Sequence, residues 1–214
     1  MQLVLRDPRT AGGEQRPTHL AACEAAATAA VRLLDNARSA PGGPWHRRVA
    51  CWDGGPIRKV VRRARGARWE ATSGLPHVEV PHRGAVVRAL VPAPLDHVPD
   101  LVARLQVAGT DLPDLGTPAP RLAGGVAVAV TPAYPLTTGK AAAQCAHAAH
   151  LTWRSLPADL LGRWRATGVA VRVLPLDADE WARAVRAAPI QVRDAGYTEV
   201  PAGTVTAVAW PEAP

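Results

Sequence analysis

GVAVAVTPAYPLTTGKAAAQCAHAAHLTW, residues 125–153, carries the reading of the fold. Its first six residues form an apolar run of strand length, the kind a sheet buries on both faces. Pro132 and Pro135 then break the chain into a turn, and an alanine-rich helix runs from about residue 140 to 153. Thr137 or Thr138 stands where an N-cap is needed. The apolar positions of this helix occupy more than one face, as expected of a helix packed on a sheet.

The same order appears nearer the start of the chain. Residues 2–6 (QLVLR) read as a short strand, followed by a Gly/Pro turn and an alanine-rich helix over residues 18–34. Two further pairs follow. Residues 85–91 (AVVRALV) read as a strand and 95–105 as an amphipathic helix. Residues 169–174 (VAVRVL) read as a strand and 177–188 as a helix with Asp177 or Asp179 at its start. A β-α order occurring twice predicts an α/β protein with an internal duplication. The Pro- and Gly-rich stretch 109–125 separates the halves. The expected organisation is a diverged α/β half over 1–108, a linker over 109–123 and a second unit over 124–214. After its second helix the later half adds two strand runs, 189–192 and 205–210, around a turn-rich loop. The first half shows no comparable ending and carries a basic insertion over residues 44–70.

Of the 214 residues, 48% are hydrophobic, which excludes a disordered chain. Lys and Arg number 25 against 18 Asp and Glu, a net charge of +7, so a polyanionic partner is expected. Three cysteines without CxxC spacing offer neither a disulfide framework nor a zinc site, and the histidines lack metal-ligand spacing. No metal or other cofactor is expected. No stretch reads as a signal peptide or a membrane span, and the expected location is the cytoplasm.

Two groups of side chains carry chemistry. On the helix after residue 137, Lys140, Gln144 and His147 fall within one narrow arc, beside the partial positive charge of the helix start. Lys140 is one of two lysines in a chain whose other cations are arginines, so a compact point charge is expected to be needed there. The loop Asp194-Ala195-Gly196-Tyr197-Thr198-Glu199 follows a strand run, where α/β proteins place working groups. Read without a family, it is more often a plain hairpin connection than a site.

Taken together, the strand with GKAAAQCAHAAH, then VAVRVL with its acidic helix, then RDAGYTEVPAGTVTAVAW resemble the type 2 peptidyl-tRNA hydrolase family over roughly residues 124–214. The resemblance implies a mixed four-stranded sheet with helices on both faces, in a family that usually works as a homodimer. It implies hydrolysis of the ester between a peptide and tRNA, with tRNA as partner and no cofactor. The family's functional lysine, glutamine and helix histidine match Lys140, Gln144 and His147. Its loop aspartate matches Asp194, and its threonines match Thr198 and Thr206. Tyr197 and Glu199 stand where many members carry Arg and Gln. For His147 a packing role and a functional one are both open.

Aligning the two alanine-rich helices sets His19 opposite Lys140, Cys23 opposite Gln144 and Ala26 opposite His147, so the first copy is expected to have lost its site. The chain is then either a monomeric pseudo-dimer or a homodimer. The insertion contains IRKVVRRARGARW, residues 57–69. Its Arg58, Lys59, Arg62, Arg63, Arg65 and Arg68 are candidate RNA contacts, three of them sharing a helical face, with Trp45, Trp52 and Trp69 available for base stacking. Two rival readings are a non-catalytic tRNA- or RNA-binding protein that keeps the hydrolase fold, and a hydrolase of another ester.

Overall fold

A computed structural model describes residues 1–8, 15–55, 58–197 and 199–213. The first unit contains β1 (Gln2–Arg6), α1 (His19–Leu34), α2 (His46–Asp53), β2 (Val60–Ala64), α3 (Ala67–Ala71), β3 (His77–His82), β4 (Ala85–Leu90) and α4 (Asp100–Ala103). The second contains β5 (Val126–Val130), α5 (Thr138–Ser155), α6 (Ala158–Ala166), β6 (Val171–Leu174), α7 (Ala178–Ala187), β7 (Ile190–Arg193) and β8 (Val205–Pro211).

The two sheets have one topology. Their strand orders are β2-β1-β4-β3 and β6-β5-β8-β7, each with a parallel first pair and two antiparallel pairs. Each helix-bearing strand, β1 or β5, is therefore central in its sheet. Its run of apolar side chains is buried because one face meets the helix layer and the other is also covered. This is a duplicated mixed α/β fold.

Helices α1 and α5 lie side by side between the sheets. Their starts meet where His19 Nδ1 lies 3.0 Å from Thr138 Oγ1, and their ends meet where Trp153 Nε1 donates to Asp35 Oδ1 at 3.1 Å. Every residue of α1 except His19 and Arg32 is buried. Alanines at most positions let the two helices pack closely, and large side chains would hold them apart. Across the seam the thiols of Cys23 and Cys145 are hydrogen-bonded. That bond, with burial, pushes the Cys23 thiol well above its ordinary pKa. The edge strand of each sheet also reaches the helix of the other unit, β6 against α1 and β2 against α5. On the outer face of the first sheet Trp69 of α3 and Val102 of α4 pack with Val4, Ala64 and Leu90, and α7 lies against β8 of the second.

Five expectations are corrected. Residues 60–64 form a strand parallel to β1, although the arginines around them fit helical spacing; in a five-residue run the pairing partner decides between the two periods. This strand, inside the basic insertion, is the counterpart of β6. The run at residues 85–91 is β4, the counterpart of β8. The first half does have the comparable ending, the hairpin β3–β4. Pro81 masked β3 in the sequence, and β3 is an edge strand, where proline is tolerated. The helix expected over residues 95–105 is a 3₁₀ turn at Leu95–His97 and a single α turn at Asp100–Ala103, split by Pro99. The helix register also moves by two: Thr18 and Thr137 are the paired caps, which sets Ala21, not His19, opposite Lys140. Helix α6 has no counterpart in the expectations; its Trp164 is fully buried and donates to Ala170 O at 2.8 Å.

Candidate active site

The strands β5 and β7 both run antiparallel to β8 and hence parallel to each other, so their C-terminal ends lie on one side of the sheet. Helix α5 starts after one and the loop 194–204 follows the other. Topology alone thus brings the first turn of α5 to the loop.

Thr137 fixes the helix start. Its hydroxyl accepts from Lys140 N at 3.3 Å. Both its N–H and its hydroxyl donate to the Glu199 carboxylate, each at 2.8 Å. A loop carboxylate therefore clamps the helix N-terminus, where negative charge is also favoured by the helix dipole. The sequence reading took Glu199 only as a departure from the family pattern and missed this brace.

Asp194 is the first residue after β7. Its N–H donates to Thr204 O at 2.9 Å and its carbonyl accepts from Gly203 N at 2.8 Å, which pins the stem of the loop. Oδ1 accepts from Gly196 N at 2.8 Å. Gly196 has φ 81°, and a Cβ there would lie 2.6 Å from Ala202 N, so only glycine fits the turn. Oδ2 meets Lys140 Nζ at 2.5 Å and Gln144 Nε2 at 2.7 Å. Lys140 and Gln144 are one helical turn apart on one face, which is why both reach the same oxygen.

Asp194 is buried, which pushes its carboxyl pKa up. The Lys140 ammonium, the Gly196 N–H and the Gln144 amide outweigh this and hold it below the ordinary value. Because a carboxylate only accepts, the Gln144 amide must present nitrogen to it. The other end of that amide, Oε1, is buried and has no partner among the described residues. The site therefore holds a carboxylate, an ammonium and a buried amide oxygen that has no partner among the described residues.

The remaining expected site residues are placed differently. Thr198 lies outside the described residues. Thr206 is fully buried on β8 and its hydroxyl points to Val192 O at a long 3.4 Å. His147 lies half-buried further along the same helix. Burial, and then the charge of Lys59, push its pKa down to about 4, so it is neutral at physiological pH.

The six cations of the basic segment separate into inner and outer groups. Arg62 is tied to Gln2 Oε1 and to the carbonyls of Ala103 and Leu105. Arg63 binds Asp7 and Gln106. Lys59 turns inward, with Nζ 2.9 Å from His150 Nδ1 and 5.0 Å from the Trp52 ring centroid. Arg58 is exposed, its guanidinium 5.7 Å from the ring of Tyr197 in the site loop. Arg65 and Arg68 are exposed with no partner among the described residues. The expected aromatic stacking platform does not form: Trp45 and Trp69 are buried, and Trp52 already stacks on His150 at 5.3 Å.

The corresponding corner of the first unit is closed. Its hairpin is the two-residue turn Arg83-Gly84, with φ 47° and 83°, where the second unit has its long loop. Glu24 of α1 is fully buried and binds His82 Nε2 at 2.7 Å, Ala119 N at 2.8 Å and Val173 N at 3.1 Å. The linker and the neighbouring sheet thus fill the place that opens beside Lys140.

No helix of the described residues is long and apolar enough to cross a membrane. No solved structure matches the chain. The family model described as Peptidyl-tRNA hydrolase PTH2 matches residues 126–214, the span from β5 to the last strand and beyond. A peptidyl-tRNA hydrolase of Methanothermobacter thermautotrophicus (strain Delta H) is 43% identical over 75 residues, 32% of this chain and 67% of that protein. Its second sheet, with the Lys140–Gln144–Asp194 cluster at the strand ends, is the part so matched, and through it this chain belongs to the type 2 peptidyl-tRNA hydrolase family.

Proposed function

We propose that this chain hydrolyses the ester between a peptide, or an N-blocked amino acid, and tRNA, using the cluster around Asp194. The carrying observation is a single carboxylate oxygen shared by Lys140 and Gln144, with the buried Gln144 Oε1 left without a partner among the described residues. Water bound between Asp194 and Gln144 Oε1 has both hydrogens accepted, and its lone pair faces the substrate. As its oxygen bonds to the ester carbon, Asp194 takes one proton and the carbonyl oxygen becomes an oxyanion. Lys140 moves to that oxyanion. This motion also removes the charge that keeps Asp194 weakly basic, so proton uptake and oxyanion formation support each other. Cleavage of the carbon–oxygen bond then releases the ribose hydroxyl, which receives the proton from Asp194.

Thr198 and Thr206 are assigned to holding the loop and the strand behind it, and neutral His147 to the wall of the site. Arg58, beside Tyr197, is assigned to the approaching tRNA.

The test is release of labelled peptide from N-blocked aminoacyl-tRNA. Asp194→Ala and Lys140→Ala are expected to lower kcat by about 10²–10⁴-fold, the range for losing a general base or an oxyanion partner. Gln144→Ala should lose less, because water keeps one of its two acceptors. Wild-type turnover by Asp194→Ala would place the chemistry elsewhere.

A further inference from the structure

We infer that the cavity at the C-terminal ends of β1 and β2 is a binding site for backbone phosphates of the tRNA, set on the unit that has no hydrolase cluster of its own. This rests on the hydrolase reading above. The cavity has a volume of about 760 Å³ and is lined by Arg6, Asp7, Arg63, Arg65, Arg68 and Glu70, among others. Of its two carboxylates, Asp7 is neutralised by Arg16 at 3.0 Å and Arg63 at 3.4 Å. Glu70 is exposed, and Arg65 and Arg68 share the lining with it. Arg65 and Arg68 extend into solvent with no partner among the described residues, so their guanidinium forks are available for bidentate contacts to phosphate oxygens.

Position ties this cavity to the hydrolase cluster. The backbone N–H of Arg63 donates to Gln106 O at 2.9 Å, at the cavity wall. Four residues on, Thr110 O accepts from Gly139 N at 3.0 Å, immediately before Lys140. Four residues span at most about 14 Å, so an RNA strand with its terminal ester at Lys140 reaches the cavity within a few nucleotides.

The chemistry of the walls selects phosphate over bases. Trp69, the aromatic residue of the lining, is buried, and its ring already carries Arg88 at 3.9 Å from its centroid. Without a free aromatic face there is no stacking platform, and arginine contact to the backbone is independent of sequence. The second unit supplies the reacting groups and the first supplies grip on the polyanion.

The full-length protein with Arg65→Ala and Arg68→Ala tests this. Two substrates are compared: intact N-blocked aminoacyl-tRNA, and the same ester on a lone 3′-terminal adenosine, which carries no backbone phosphate and does not reach the cavity. KM for intact tRNA should rise about tenfold near 0.1 M salt, and the slope of log affinity against log salt should fall by about 1–2. Turnover of the adenosine ester should stay at the wild-type level. Arg65→Lys with Arg68→Lys should restore the salt slope and only part of the affinity, because the charge returns without the fork. An unchanged KM for intact tRNA, or an equal loss on both substrates, would overturn the assignment. Direct binding of deacylated tRNA separates this from the hydrolase reading. If wild type turns over neither ester and the alanine pair still binds tRNA more weakly with a reduced salt slope, the hydrolase reading falls and the cavity stands.

Discussion

Gly196 is the residue on which the geometry of Asp194 depends most directly. Its positive φ places its own N–H on Asp194 Oδ1, and its missing Cβ admits Ala202 N. In Gly196→Ala the added carbon would lie 2.6 Å from Ala202 N and 2.9 Å from its Cα, so the turn must open. Stability is expected to fall by at least ~1 kcal/mol in denaturant titration. Turnover should fall about a hundredfold, because a displacement of about 1 Å at the reacting groups is enough for that loss. Wild-type turnover by this variant would show that the loop does not need its observed shape. Helical spacing put Lys140 and Gln144 on one face, and the family resemblance added Asp194 to them. Gln144 Oε1 as the acceptor without a partner was not legible, because which end of an amide is engaged depends on a partner fifty residues away in the chain. Glu199 was missed for the same reason: its two bonds go to Thr137, at the far side of the unit's sequence.

Among the elements, β2 and α5 form the tie between the two units. Lys59, at the start of β2, places its ammonium beside His150 of α5, and His150 Nε2 approaches Asp53 Oδ1 at 2.7 Å without hydrogen-bond geometry. Burial pushes Lys59 down to about 7, with Arg154 adding to the effect and Asp53 opposing it. Burial and the Lys59 charge push His150 down to about 2. In the unfolded chain Lys59 holds its proton up to about pH 10.4. Between pH 7 and that value the unfolded state therefore binds more protons, and stability should rise with pH across this window. His147 and His150 act the same way at lower pH: the fold keeps them neutral, so stability falls as pH drops below about 6.5, where the unfolded histidines begin to charge. Melting temperatures of wild type and Lys59→Met from pH 6.5 to 10 check this. The upward trend between 7 and 10 should flatten in the variant, and equal trends in both proteins would remove Lys59 from the tie. The sequence listed Lys59 with the RNA contacts because charge along a short segment says nothing about which side faces inward.

At the scale of the whole molecule, two copies of one topology share a helix layer. The family resemblance implies a homodimer; here the seam that α1 and α5 form is made within one chain, and one edge strand of each sheet, β2 or β6, already rests on the other unit's helix. The helix faces at this seam are therefore occupied within one chain. Light scattering of the intact protein is expected to give a monomer of 22.5 kDa, and twice that mass would show a further interface outside the helix seam. One site per molecule is also expected, because Glu24, His82 and the linker fill the corner of the first unit.

The sequence by itself determined the second unit almost completely. Its strands are short apolar runs, α5 and α7 carry side-chain caps, and its chemistry sits in two compact motifs, so local patterning and turn residues were enough for all but α6, whose start has no side-chain cap. It also determined that the order of elements repeats. Only the tertiary structure decided what the first unit is. Strand β2 hides in arginines, β3 contains a proline, and the expected helix after β4 is cut by Pro99. Each of these is ambiguous to local rules and becomes definite only through pairing with β1, pairing with β4, or packing on Trp69 and Leu105. Tertiary structure likewise decided which cations remain outside. Arg62, Arg63 and Lys59 are consumed by carbonyls, side-chain acceptors and an imidazole, while Arg58, Arg65 and Arg68 stay in solvent. Burial of a charge is set by what folds against it from elsewhere in the chain, and a linear pattern carries no record of that.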